Sequence, residues 1–122
     1  MLEMLIVLPV LILMIFSMIE FAVMLSRWTV VSNAAREGAR QSIVFRTNCV
    51  AADVESDVET TVQSRAAAFG LSVAPADISV TGACAGAGTN SFVTVDLAHN
   101  FVMLPGVSIN LTGGSVMRNE GG

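Results

Sequence analysis

The chain opens on MLEMLIVLPVLILMIFSMIEFAVML, an apolar run in which Glu3, Ser17 and Glu20 are the only polar side chains. No other feature constrains the fold as strongly. At about 1.5 Å of rise per residue, these roughly 25 residues form a helix about 38 Å long, more than the ~30 Å hydrocarbon core of a bilayer. A carboxylate is costly in lipid, so Glu3 and Glu20 each need a partner, contact with water or a function. From Ser26 onward the residues are those of an ordinary small soluble domain. The 122 residues, 53% of them hydrophobic, therefore divide into a membrane-length stalk and one head. The expected division is residues 1–46 for the helix and 47–122 for the head.

Charge narrows the function classes. The formal net charge is −4, the pI is about 4.7, and the six basic residues are all arginine. Few and scattered basic residues in an acidic chain exclude nucleic acid as the expected partner. Tyrosine is absent and Trp28 is the single tryptophan, so there is no stacking platform for single strands. A secretory signal peptide is not expected, because no Lys or Arg precedes the apolar run, the run is too long, and Ser17–Ser26 has no A-x-A site. The missing positive flank implies charges upstream that have been removed, which puts Met1 at or near the start of a processed chain.

Beyond the apolar run, SRWTVVSNAAREGARQSIVFR continues without proline, and Val30, Val31, Ala34, Ala35, Ala39 and Ile43 recur at helical spacing. One helix is predicted from Met1 to about Val44. Pro9 is its one break, where a kink or local unwinding is expected, because proline lacks the N–H and crowds the preceding turn. Arg46–Cys49 reads as a connection. VAADVESDVETTVQSRAAAFG reads as a second, amphipathic helix with Val54, Val58, Val62 and Phe69 on one stripe and Gly70 as its stop. Then Ile78–Cys84, Ser91–His99 and Val107–Met117 alternate and are rich in β-branched residues. They predict a three- or four-stranded antiparallel sheet, with Gly113-Gly114 a bulge or turn in the last strand. The fold class is α+β: a long hydrophobic helix bearing a small head of one helix on that sheet. The last four residues, Asn119–Gly122, read as a frayed tail.

Cys49 and Cys84 are the only cysteines, and in an exported head one disulfide is the expected state. Two sulfurs and His99 do not supply four metal ligands. No catalytic constellation is present and no cofactor is expected. His99, the single histidine, reads as a packing or surface residue. Gly86-Ala87-Gly88 lacks the following helix that a dinucleotide fingerprint requires. Asp53, Glu55, Asp57 and Glu59 lack the glycine of a calcium loop, so they read as a solvated helix face. Asn110-Leu111-Thr112 is a glycosylation sequon, a triplet common by chance. Glu37 and Arg40 form an i,i+3 pair. Glu20, near the end of the apolar run, is expected to reach interfacial water or an arginine of another chain. Glu3 sits among headgroups or pairs with a free α-amino group, its own or a neighbour's. A neighbour's amine would make the pair a registration device between staggered helices.

These residues resemble the TadE-like family, the pilin-like proteins of the tight-adherence branch of type IV pili. The resemblance rests on Glu3 ahead of an apolar run containing Leu8-Pro9, on Glu20-Phe21, and on Ala34-Ala35-Arg36-Glu37-Gly38-Ala39-Arg40, matched residue for residue. It covers roughly the first 45 residues strongly and the last 30 loosely, through a closing strand that ends in Met117-Arg118. Glu3 is third, whereas type IV pilins generally carry this glutamate fifth in the mature chain. The resemblance implies a precursor trimmed by a prepilin-type peptidase and held in the inner membrane. It implies further that the pilus assembly machinery draws it into an extracellular, adhesive filament. The expected function is thus a structural, non-enzymatic subunit of a helical homo-oligomer, with Met1, Glu3 and Glu20 in assembly and registration. Small residues at Ala34, Ala35, Gly38 and Ala39 are expected to let helices of neighbouring subunits approach closely. Two alternatives stand beside it. One is a minor pilin-like assembly factor retained in the inner membrane; the other is a single-pass periplasmic binding module that does not polymerise.

Overall fold

The computed structural model describes residues 2–44, 48–86 and 88–119. Its elements are helix α1 (Leu2–Ser42), helix α2 (Ala51–Ala67) and strands β1 (Ile78–Thr81), β2 (Asn90–Asn100) and β3 (Ser108–Arg118). A short 3-10 turn at Pro75–Asp77 leads into β1. The three strands form one antiparallel sheet in the order β1-β2-β3. This is the α+β stalk-and-head that the hydrophobic patterning implies.

At 41 residues α1 is about 62 Å long. It continues unbroken through Pro9, so the local unwinding expected there does not occur. The price at Pro9 is one missing backbone hydrogen bond, which a helix this long tolerates. Residues 3–15 of α1 are exposed throughout, the β2–β3 turn reaches α1 at Glu20, and from about Arg27 the helix lies against α2 and the inner face of the sheet. Val31, Ala34, Ala35 and Ala39 of α1 are buried there with Val54, Val58, Val62 and Ala66 of α2 and Val93 and Val95 of β2. Phe69 does not share the α2 stripe: α2 ends at Ala67, the chain turns at Gly70 with φ of 72°, and Phe69 is 71% exposed. Ala66 takes the place on the stripe that the helical spacing gave to Phe69.

Two glycines set how closely the layers approach. A Cβ on Gly38 would lie 2.8 Å from Val62 Cγ2 and 3.1 Å from Val58 Cγ1, so its absence lets α1 and α2 meet. A Cβ on Gly113 would lie 2.9 Å from the Ser32 amide nitrogen and from the Val31 carbonyl carbon. Gly113 is therefore neither bulge nor turn. It pairs with Val95 in an uninterrupted β3, and its bare face receives the backbone of α1. Gly113→Val should cost about 3 kcal/mol, the upper end for overpacking, because helix backbone cannot yield as a side chain tip can. Thermal unfolding of the head in detergent checks this, with Gly114→Ala as the mild control; a Cβ there meets nothing nearer than Thr94 Cγ2 at 3.7 Å.

β1 stops at Thr81 rather than Cys84, since Gly82 turns the chain with φ of 81°. The disulfide Cys49–Cys84 spans 35 residues with Cα atoms 5.5 Å apart. It ties the segment ahead of α2 to the loop after β1. Inside the head, Ser42 and Ser91 are buried and satisfy one another. Ser42 Oγ donates to the Ala39 carbonyl at 2.7 Å, so its single proton is committed and Ser91 Oγ donates to it, also at 2.7 Å.

Candidate functional site

The functional candidates lie along α1, and the structure separates them into three zones. The lowest holds Glu3, exposed in the first turn. A carboxylate there faces the unpaired amides and positive end of the helix dipole. Met1, its proposed partner in registration, lies outside the described residues.

Glu20 occupies the second zone. It is half-buried, and its Oε1 accepts the backbone N–H of Val102 and, at 3.4 Å, that of Met103. Neither bulk water nor an arginine of another chain is needed to account for it. Its donors come from the β2–β3 turn, which descends along α1 and brings residues 82 positions away alongside it. Sequence reasoning missed the turn as a partner because nothing local links the two segments. The available signal was FVMLPGV, a turn without one polar side chain. Above Glu20, Arg27 Nη1 donates to His99 Nδ1 at 3.1 Å, and Trp28 Nε1 donates to the Thr112 carbonyl at 3.4 Å. Guanidinium only donates, so Nδ1 carries the lone pair and the neutral ring bears its proton on Nε2. That atom is buried and has no hydrogen-bond partner among the described residues. Phe101 packs edge-on against the ring at 5.1 Å. His99 thus serves packing, anchoring the end of β2 to α1.

Glu20→Ala should remove the acceptor of two amides. Hydrogen bonds to a charged group contribute about 1.5–3 kcal/mol, so amide exchange at Val102 and Met103 should quicken by roughly 10- to 100-fold. Glu20→Gln, which keeps a carbonyl oxygen, should restore much of the protection.

The third zone is Ala34–Arg40. Ala34, Ala35, Gly38 and Ala39 face inward and are buried by the chain's own α2 and sheet. They permit close helix approach, but within one head: the contact expected between subunits is not available to them. Arg36 and Arg40 are exposed. Glu37 lies 3.8 Å from Arg40 and 3.5 Å from Arg65, so it bridges α1 to α2 across the surface. Pairs this exposed contribute at most about 1 kcal/mol each.

Elsewhere the candidates disperse. Asp53, Glu55, Asp57 and Glu59 follow one another along α2, and among the described residues no group of three or more His, Cys, Asp or Glu could hold a metal ion. In the Gly86–Gly88 loop, Ala87 lies outside the described residues, as do the Arg46-Thr47 connection and the tail from Glu120. α1 is the one described helix long and apolar enough to cross a membrane.

The family model described as TadE-like protein matches residues 1–40. No curated protein and no solved structure matches the chain. The matched segment is almost all of α1, with both carboxylates and the small-residue face that seats the head, and none of α2 or the sheet. Over its first 40 residues, about a third of its length, the chain is similar to the TadE-like family.

Proposed function

We propose that the chain is a structural subunit of a type IV filament of the tight-adherence kind, polymerising through α1. The observation that carries this reading is the uncovered apolar surface from Met4 to Leu25, where Leu5, Leu11 and Phe21 are each more than half exposed. Such a surface has two stable environments: lipid, or other apolar helices. Moving from one to the other is nearly neutral in hydrophobic terms, because acyl chains are as apolar as leucine, and packing decides the outcome. Moving into water is different. Exposing about 1,500 Å² of apolar area at about 25 cal/mol per Å² costs ~40 kcal/mol. A filament drawn out of the inner membrane therefore does not shed subunits into the medium, and its heads coat the outside. A head-to-tail contact that does not close gives an open fibre. A prepilin-type peptidase and the pilus assembly machinery are the partners of this pathway, and the role is structural rather than enzymatic.

The test is where the wild-type chain is found. Recovery from sheared surface filaments, with a photoreactive side chain placed at Leu11 cross-linking neighbouring subunits, is the expected result. A chain that stays in the inner membrane bound to other pilus components is a minor assembly factor instead. One that stays solitary in the bilayer is a single-pass periplasmic binding module. Mass spectrometry of the N-terminal residue checks the peptidase step.

A further inference from the structure

We infer that the tip of the β2–β3 hairpin is a second membrane-seated element, immersed in lipid beside α1. The inference rests on reading α1 as a membrane helix and goes beyond it, because it places part of the head below the bilayer surface.

Position is the first argument. Glu20 is five residues before Leu25, the end of the apolar run, and so about 8 Å inside it along the helix axis. The tip is held at that level by the bonds from Val102 and Met103 to Glu20. Trp28, a residue type that favours the membrane–water boundary, stands about 12 Å higher on α1.

Chemistry is the second. No ionisable side chain occurs from Asn100 to Met117. At the tip, Val102 is 87% and Leu104 58% exposed, an arrangement that is unfavourable in water and favourable in acyl chains.

The third argument is the backbone. A turn enters the membrane more readily the more of its polar groups are satisfied within the protein. The amide of Phe101 donates to the Val107 carbonyl at 3.2 Å and that of Val107 to the Leu104 carbonyl at 3.0 Å. The amides of Val102 and Met103 donate to Glu20, and Pro105 has none to satisfy. Among the described residues only the Leu104 and Gly106 amides of the turn have no partner, and these two need water or headgroup oxygens that reach the tip. The bonds to Glu20 answer why a carboxylate stands inside the apolar run: Glu20 and the turn supply each other's missing partners. Between tip and helix lies a groove of about 230 Å³, with Phe16, Ile19, Val23 and Met103 among its walls. It opens onto the lipid-facing surface of α1, and acyl methylenes are the occupant that fits its apolar lining.

The experiment is electron paramagnetic resonance of the full chain in phosphatidylcholine vesicles, with a nitroxide on Val102→Cys, Ile12→Cys or Val116→Cys in turn. Each site is exposed, so the label does not disturb the core. Collision with a polar nickel chelate should be roughly tenfold slower at 102 than at 116, since hydrocarbon excludes the polar reagent. Residue 102 should then match residue 12. If 102 behaves like 116 while 12 is shielded, the inference fails and the membrane helix stands. If 12 is itself open to the chelate, both fail. Shielding of 102 that arises only in assembled filaments assigns the tip to a second copy of the chain and overturns the lipid assignment.

Discussion

Glu3→Ala should abolish incorporation into filaments while leaving the amount of membrane-inserted protein unchanged. Insertion depends on the apolar run, which loses nothing when a carboxylate is removed; it becomes more apolar. Assembly depends on what Glu3 meets once helices bundle. If it pairs with a neighbour's amine, its removal leaves that amine buried and uncompensated, at about 3–5 kcal/mol per contact. Each 1.4 kcal/mol is about tenfold in an equilibrium constant, so the loss at every subunit addition is at least about a hundredfold. Glu3→Gln, which keeps size but not charge, should fail nearly as completely. The readout is the ratio of sheared filament to membrane-bound chain. Normal filaments from Glu3→Ala would remove Glu3 from assembly and leave it as a headgroup-level residue.

A Cys49→Ser, Cys84→Ser double variant should lower the unfolding temperature of the head by about 15–25 °C. Closing a loop of 35 residues restricts the unfolded chain by about 3–4 kcal/mol in the chain-entropy model, and each kcal/mol moves the midpoint by about 4–8 °C in a domain of this size. The effect is large because the core is built mainly from valine and alanine, with no buried aromatic ring other than His99 among the described residues. Small side chains bury little area each, so the covalent link carries a larger share of the stability. Circular dichroism in detergent should show the head melting early while the helix signal of α1 persists. A drop under about 5 °C would mean the packing holds the head without the bond.

How far these features were legible from the residues differs along the chain. The length of α1, the site of α2 and the three strands follow from run length and hydrophobic period, which are local properties. So does the pairing of Cys49 with Cys84, for want of any other cysteine. The Ala34–Arg40 segment was legible as important but its use was not. Alternating small and charged residues look alike whether a helix packs on its own head or on a neighbour.

The carboxylates divide in the same way. That Glu20 needs a partner was evident from its setting among apolar residues; that the partner is the backbone of Val102 and Met103 was not. Glycine 113 was expected to interrupt a strand and instead admits a helix. Phe69, apolar and correctly spaced, lies outside because α2 ends two residues too soon for it.

By itself, then, the sequence determined a membrane-length rod, a small disulfide-linked α+β head and two acids in need of partners, because burial demands and periodicity act over short spans of chain. Only the tertiary structure decided which way the β2–β3 hairpin lies along α1, and with it the partner of Glu20 and the level on α1 that the turn reaches. Those depend on how closely whole layers approach, which two glycines on different elements fix together and no local pattern encodes.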